Sequence, residues 1–181
     1  WYAPIAQSGQ PGWSAIYTNY DERAEITISA STPVTVGNRL LGVMSADVKI
    51  NGLNQFLLDE PLRGTAIMAI TDVAGQLVAF SEPGSVLSDG RGGTPRGQRL
   101  GLAQSQNAVL RAAALPVADA PTESAAGFQL TVGGKLYICR VTPYSDVRGL
   151  NWRIVMLVPE SDLLGDTRAA SQRSLAWIVG I

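Results

Sequence analysis

The sequence predicts an α+β fold in which antiparallel β-strands carry most of the core. Runs that alternate apolar and polar residues, and that are rich in Val, Ile and Thr, recur along the chain as half-buried strands require. Several of these runs are separated only by short segments that contain Gly or Asp, which is typical of hairpin turns. Short stretches with apolar residues at helical spacing lie between the hairpins. The three observations favour this fold class over an all-helical fold or a parallel sheet.

Composition limits what the chain can do. Its 181 residues suffice for one domain or two small ones, and 46% hydrophobic with 16% charged residues is enough for a buried core. A net charge of -1 leaves no basic stripe, so we expect no nucleic-acid partner. The sequence has no histidine, which excludes imidazole-dependent catalysis and His-ligated metals. The single cysteine, Cys139, cannot form an internal disulfide, and we expect it to be a small buried hydrophobe.

The first hairpin is predicted over residues 25–44. Val36–Asn38 supplies its turn, and Pro33 suits an edge or a bulge position. After Asp47 the apolar residues change to helical spacing, which predicts a short helix with Asn51 as its N-cap.

A second group of strands follows. The alternating runs predict strands at 65–71, 76–81, 127–132, 135–142 and 151–158. Residues 72–75 and the pair Gly133-Gly134 supply turns between neighbouring strands. The segments 82–101 and 116–126 are predicted loops, and the Ala-rich segment Leu102–Leu115 between them is a predicted helix.

A faint internal repeat indicates two modules. Thr32-Pro33 and Thr142-Pro143 each precede a Gly-containing turn, an apolar strand and a helix with leucines. We therefore predict three parts: the C-terminal half of a first module at 1–61, a complete second module at 62–165, and a helix leading into a transmembrane segment at 166–181.

Both ends of the chain suggest a piece of a longer protein. The chain starts at Trp1 without an initiator methionine or a signal peptide. A helix is predicted to start at Pro159 and to run to the C-terminus. The apolar residues 175–181 are expected to be the first turns of a membrane helix, and a buried helix end is the alternative.

Five stretches resemble the extracytoplasmic double Cache sensor region of bacterial transmembrane receptors. They read WYAPIAQSGQPGWSAIYTNY, ITISASTPV, LLGVMSADVKINGLNQFL, AIMAITDVAGQLVAFS and LNWRIVMLVPESDLLGDTR. Their order and spacing cover most of the chain outside 82–126. The resemblance implies PAS-like Cache modules, each with a central five-stranded antiparallel sheet flanked by helices, which agrees with the five strands predicted within 65–158.

The resemblance also implies a function. The chain would be a non-catalytic sensing domain on the outer side of the inner membrane, and the full-length protein would be membrane-anchored. It would bind a small molecule (an amino acid, an amine or a small organic acid) and pass binding to a nucleotide cyclase, a diguanylate cyclase or a histidine kinase. No cofactor, metal or catalytic residue is expected, since no carboxylates have the spacing of an acid–base pair. A ligand-free structural or dimerisation module is the alternative, and homodimerisation is left open.

The resemblance also marks a candidate ligand site in the first module. Trp1, Tyr2, Tyr17 and Asp47 match residues that hold ligands in family members that bind amino acids or amines. Aromatic faces attract a cationic amine, and a carboxylate pairs with it. The alternatives are that Trp1 and Tyr2 are core aromatics, and that Asp47 caps the turn into the following helix.

Candidates in the second module are Arg140, Tyr137 and Tyr144. Arg140 stands in an otherwise apolar strand, where it would face an anionic ligand. The alternative, which the sequence favours, is an arginine on an edge strand with its guanidinium in water. Asp72 and Asp146 are predicted turn residues.

Overall fold

The structure is a computed structural model that describes residues 1–18, 26–59, 62, 64–90 and 95–163. The predicted membrane-proximal helix at 166–181 lies outside these residues. None of the helices in the described ranges is long and apolar enough to cross a membrane.

The elements divide between two sheets. The first part contains α1 (Tyr2–Ser8), β1 (Gly12–Trp13), β2 (Tyr17–Thr18), β3 (Ile26–Val36), β4 (Arg39–Lys49) and α2 (Asn51–Asp59). The second part contains β5 (Ile67–Asp72), β6 (Leu77–Phe80), a 3₁₀ turn at Leu102–Gln104, α3 (Ala108–Ala118), β7 (Ala126–Val132), β8 (Lys135–Ser145) and β9 (Asn151–Pro159). Residues 160–163 are helical and agree with the helix predicted after β9.

The first sheet is built on the hairpin of β3 and β4. The short strands β1 and β2 pair with the other side of β3, and all pairings are antiparallel. The hairpin register shifts between Val34 and Thr35, one residue beyond Pro33, as expected for a proline near a bulge.

The second sheet has five antiparallel strands in the order β6-β5-β9-β8-β7. Each predicted strand is present, and the predicted fold class is confirmed.

The helix between β6 and β7 differs from the prediction. The segment starts as the 3₁₀ turn, and α3 begins only after Asn107, whose Oδ1 accepts from Val109 N at 2.8 Å and from Leu110 N at 3.2 Å. α3 then continues through Pro116 to Ala118, where a loop was predicted. The fully buried Val117 gives the physical reason, because burial of this side chain outweighs the hydrogen bond lost at the proline.

One apolar core runs through both sheets. Ile28 and Ile50 of the first part, Leu57 of α2, and Val155 and Leu157 of β9 belong to a single cluster of buried side chains. The two sheets are therefore packed through a shared core, with α2 against β6. The module boundary at residue 61 stays a prediction.

Candidate functional site

The two faces of β3 differ in chemistry. Side chains alternate along a strand, so Ile26 and Ile28 point into the shared core while the residues between them point to the opposite face. Residues that pair directly across strands share a face. The pairings therefore define a polar face of the first sheet, which includes Tyr17, Thr27, Ser29, Ser31, Ser45, Asp47 and Lys49.

Three side chains of the polar face form one hydrogen-bonded group, which we call the Asp47 cluster: Tyr17, Ser29 and Asp47. Ser29 Oγ donates to Asp47 Oδ1 at 2.7 Å. Tyr17 Oη lies 2.8 Å from Ser29 Oγ and 3.2 Å from Asp47 Oδ1, so its proton has two acceptors within reach. The structure thus brings together the predicted site residues Tyr17 and Asp47, which lie 30 positions apart in the chain.

The Asp47 cluster is rigid at its base and open at its tip. Ser29 is fully buried, and its backbone is fixed by two hydrogen bonds with Ser14: Ser29 N donates to Ser14 Oγ, and Ser14 N donates to Ser29 O, both at 2.9 Å. Asp47 is exposed, and its hydrogen bonds with the described residues all reach Oδ1. Its second oxygen, Oδ2, is therefore available to an external donor.

The capping alternative for Asp47 is wrong. Its hydrogen bonds go to two side-chain hydroxyls and not to the backbone at the start of α2. The core alternative for Trp1 and Tyr2 is also wrong, because these side chains are 52% and 48% exposed. Their rings contact each other edge to face at 5.8 Å.

α1 holds these two aromatic residues near the polar face. It contacts β3 and β4, and the side chain of its buried Ile5 lies 3.1 Å from where a Cβ on Gly12 would be. Gly12 pairs with Ser31, a member of the polar face, so α1 lies on the same side of the sheet as the Asp47 cluster. Within the described residues no ring contact or hydrogen bond joins Trp1 or Tyr2 to the cluster.

The candidates of the second module do not form a common site. Tyr137 is buried in the core, whereas Arg140 is exposed, and the strand alternation places them on opposite faces of β8. β8 lies between β7 and β9, with Arg140 opposite Gly127 and Met156, so the expected edge position is wrong although the side chain is exposed. Tyr144 is half exposed and lines a cavity between the sheets.

Two cavities border α2. One, of about 490 Å³, is lined partly by polar side chains such as Asn51, Asn54 and Arg96. The other, of about 550 Å³, lies between the two sheets and is lined by mostly apolar residues, among them Trp13 and Trp152. The Asp47 cluster lines neither, so the candidate ligand site at Tyr17 and Asp47 stays a prediction. Sequence analysis missed both cavities because their walls come from distant segments.

A second finding that the sequence did not reveal is a side-chain hydrogen bond between the two sheets. Trp13 Nε1 of β1 donates to Asp146 Oδ2 at 2.7 Å, while Asp146 Oδ1 accepts from Arg148 N and Leu150 N in the turn before β9. The hydrogen bond from Trp13 is the main reason that the pKa of Asp146 lies below its usual value. Asp146 is the predicted turn residue, and it also joins the two sheets.

Cys139 is buried, as expected. Desolvation of the thiolate raises the pKa of its thiol to about 11. Among the described residues no group of acidic and cysteine side chains could hold a metal ion.

The sequence matches no protein-family model and no curated protein. Solved structures do match its fold. The extracellular domain of mmHK1S-Z3, assigned as a histidine kinase, aligns with 93% of this chain and 56% of its own length, at 12% identity and a TM-score of 0.59. The ligand-binding domain of the Pseudomonas aeruginosa amino acid chemoreceptor PctB, solved with L-arginine, aligns with 89% of this chain and 59% of its own, at 15% identity and a TM-score of 0.57.

A third match is the ligand-binding domain of the Pseudomonas fluorescens chemoreceptor CtaA with L-leucine. It covers 89% of this chain and 58% of its own length, at 21% identity and a TM-score of 0.57. The chain shares the fold of these extracellular ligand-binding domains. It spans a little over half of the length of these sensor domains.

Proposed function

We propose that this chain is the extracytoplasmic sensing part of a bacterial membrane receptor and that it binds a small amine, such as an amino acid, at the Asp47 cluster. The observation that carries the proposal is the exposed Asp47 carboxylate, held through one oxygen by Ser29 and Tyr17. The ligands of PctB and CtaA support the choice of class, because L-arginine and L-leucine both carry an α-ammonium group.

The geometry suits an ammonium ion. A hydrogen bond from an ammonium group to Oδ2 is charge-assisted and stronger than one between neutral groups. Ser29 and Tyr17 already orient the carboxylate, so the ligand does not have to immobilise it on binding. Trp1 and Tyr2, on the same side of the sheet, supply aromatic faces that attract cations.

Signal transfer to the second sheet needs few intermediates. Ser29 is followed in β3 by Ala30, which pairs with Trp13 of β1, and Trp13 donates to Asp146 in the second sheet. A ligand that binds one arrangement of these strands better than another shifts the population toward it. In the full-length protein, the shift would pass through the membrane to a cyclase, a diguanylate cyclase or a histidine kinase. The chain itself has no catalytic role in this proposal.

The experiment is calorimetric titration of the complete sensor region with a panel of amino acids and amines. Asp47→Asn keeps the shape and the Oδ1 acceptor but removes the charge. Loss of one partner of a buried charge pair costs about 2–5 kcal/mol, and a bound amine would cover Asp47, so we expect roughly 30-fold weaker binding or more. Asp59→Asn is the matched control, because Asp59 is an exposed carboxylate at the end of α2 that bonds only to Gln55 among the described residues.

Two results would contradict the proposal. If the Asp47→Asn variant binds an amine with an affinity within three-fold of that of the wild type, the Asp47 cluster is not the amine site. If no compound of the panel binds, the ligand-free structural or dimerisation alternative is favoured, and sedimentation of the wild-type region tests it directly.

A further inference from the structure

A buried arginine in the second sheet has no counter-ion among the described residues. Arg153 of β9 is 6% exposed, and its two terminal nitrogens donate to the carbonyls of Val73 at 3.3 Å and Ala120 at 3.4 Å. Its Nε has no hydrogen-bond partner. Both carbonyl contacts are long for hydrogen bonds, and neither neutralises the charge. A buried guanidinium without a carboxylate is costly, so its environment calls for an explanation.

A second orphaned group lies beside it. Thr71 of β5 pairs directly with Arg153 and shares its face of the sheet, and its buried Oγ1 also lacks a hydrogen-bond partner. The next residue, Asp72, is already paired with Arg99 at 2.7 Å. Among the described residues no carboxylate forms an ion pair with Arg153, and Asp119 and Glu123, which lie close to Ala120 in the sequence, are exposed.

The space at Arg153 can hold a small guest. Arg153 lines a cavity of about 120 Å³, whose other walls include Thr122, Ser145, Asn151 and Trp152. One water molecule needs roughly 10–15 Å³ by the same kind of measure, so the cavity has room for more than one water. The hydroxyl and amide groups of Thr122, Ser145 and Asn151 can each donate a hydrogen bond.

We infer that this cavity is a binding site for a small monovalent anion, a halide or a short carboxylate such as formate or acetate, with Arg153 as its counter-ion. Water would satisfy the orphaned Nε but would leave the guanidinium charge unpaired, whereas an anion does both. The site lies on the second sheet, between the start of β9 and the end of β8, and does not include the Asp47 cluster. Anion binding can therefore be tested without the amine proposed above.

The test uses the whole chain in sodium gluconate, whose anion is much bulkier than chloride, formate or acetate. Chloride, formate and acetate replace gluconate at constant ionic strength while thermal unfolding is followed. A ligand that binds only the folded state raises Tm, and the rise increases with the ligand concentration. We expect such a rise for at least one small anion. The anion that raises Tm at the lowest concentration is the preferred ligand of the cavity.

Two variants link the effect to the cavity. Arg153→Met should weaken anion binding at least ten-fold. Ser145→Val, at an exposed position, removes one hydroxyl donor and narrows the cavity without changing the arginine, and should weaken binding at least three-fold even if the first variant does not fold. Arg39→Met, which removes an equal charge at the exposed hairpin end of the first sheet, should bind as wild type does.

Three results would overturn the inference. One is a Tm that does not change with the concentration of the small anions. Another is a Tm that rises equally when the gluconate concentration is raised. The third is wild-type anion affinity in the folded Arg153→Met variant or in Ser145→Val.

Discussion

Replacing Ser29 by Ala removes the hydroxyl at the centre of the Asp47 cluster. The variant loses the 2.7 Å hydrogen bond to Asp47 Oδ1 and the 2.8 Å contact with Tyr17 Oη. Tyr17 keeps its own 3.2 Å contact with Asp47, and the exposed carboxylate can take up water. The change therefore loosens the carboxylate without leaving a buried charge unpaired.

The expected magnitude follows from these partners. A hydrogen bond to a charged group contributes about 1.5–3 kcal/mol, and one between neutral groups about 0.5–1.5 kcal/mol. Because water replaces part of the loss at Asp47, we expect the free energy of unfolding to fall by about 1.5–2 kcal/mol. Amine affinity should fall by roughly 3–10-fold, since the ligand must now immobilise the carboxylate itself.

Ser31→Ala is the matched control. Ser31 lies two residues further along β3 on the same polar face, is 5% exposed, and bonds to Ser45 Oγ at 2.9 Å, with no charge involved. Its loss should reduce stability by about 0.5–1 kcal/mol and leave amine binding unchanged.

The assay is urea unfolding of both variants, with titration calorimetry of the same samples. Equal m-values would show that the variants unfold from comparable states. If Ser29→Ala and Ser31→Ala lose the same stability and bind amine equally well, Ser29 does not position Asp47 and the reasoning fails.

Two further predictions concern Asp146 and Cys139. Because the pKa of Asp146 is lowered in the folded protein, its ionised form stabilises the fold above the unfolded-state pKa of about 3.9, and this contribution is lost as the pH falls through the lower folded-state value. Urea midpoints of wild type and Asp146→Asn should therefore differ at pH 7 and converge below about pH 4, and a constant difference would refute the role of the charge. The buried Cys139 thiol, with its pKa of about 11, should resist a maleimide in the native protein at pH 8 and react on unfolding in urea; rapid native labelling, read by mass spectrometry, would contradict this.

Local patterns were sufficient for the strands. The alternation in β7, β8 and β9 reports which side chains are buried, and Gly133-Gly134 and the 72–75 segment set the turns, so the five strands of the second sheet could be predicted from neighbouring residues alone. The C-terminal end of α3 could not be predicted in this way, because Pro116 is a local stop signal that the burial of Val117 overrides.

By itself the sequence determined the α+β class, the hairpins, the burial of Cys139 and the choice of Tyr17 and Asp47. The first three depend on residue type and short-range periodicity, which are read directly from the chain, whereas the choice of Tyr17 and Asp47 was implied by the resemblance to double Cache sensors. Only the tertiary structure decided that Ser29 joins Tyr17 to Asp47, that Trp13 donates a hydrogen bond to Asp146, and that the buried Arg153 has no counter-ion in the part of the chain that the structure describes. Each of these depends on strand register or on packing between segments far apart in the chain, and a contact of that kind leaves no periodic signal in the residues that make it.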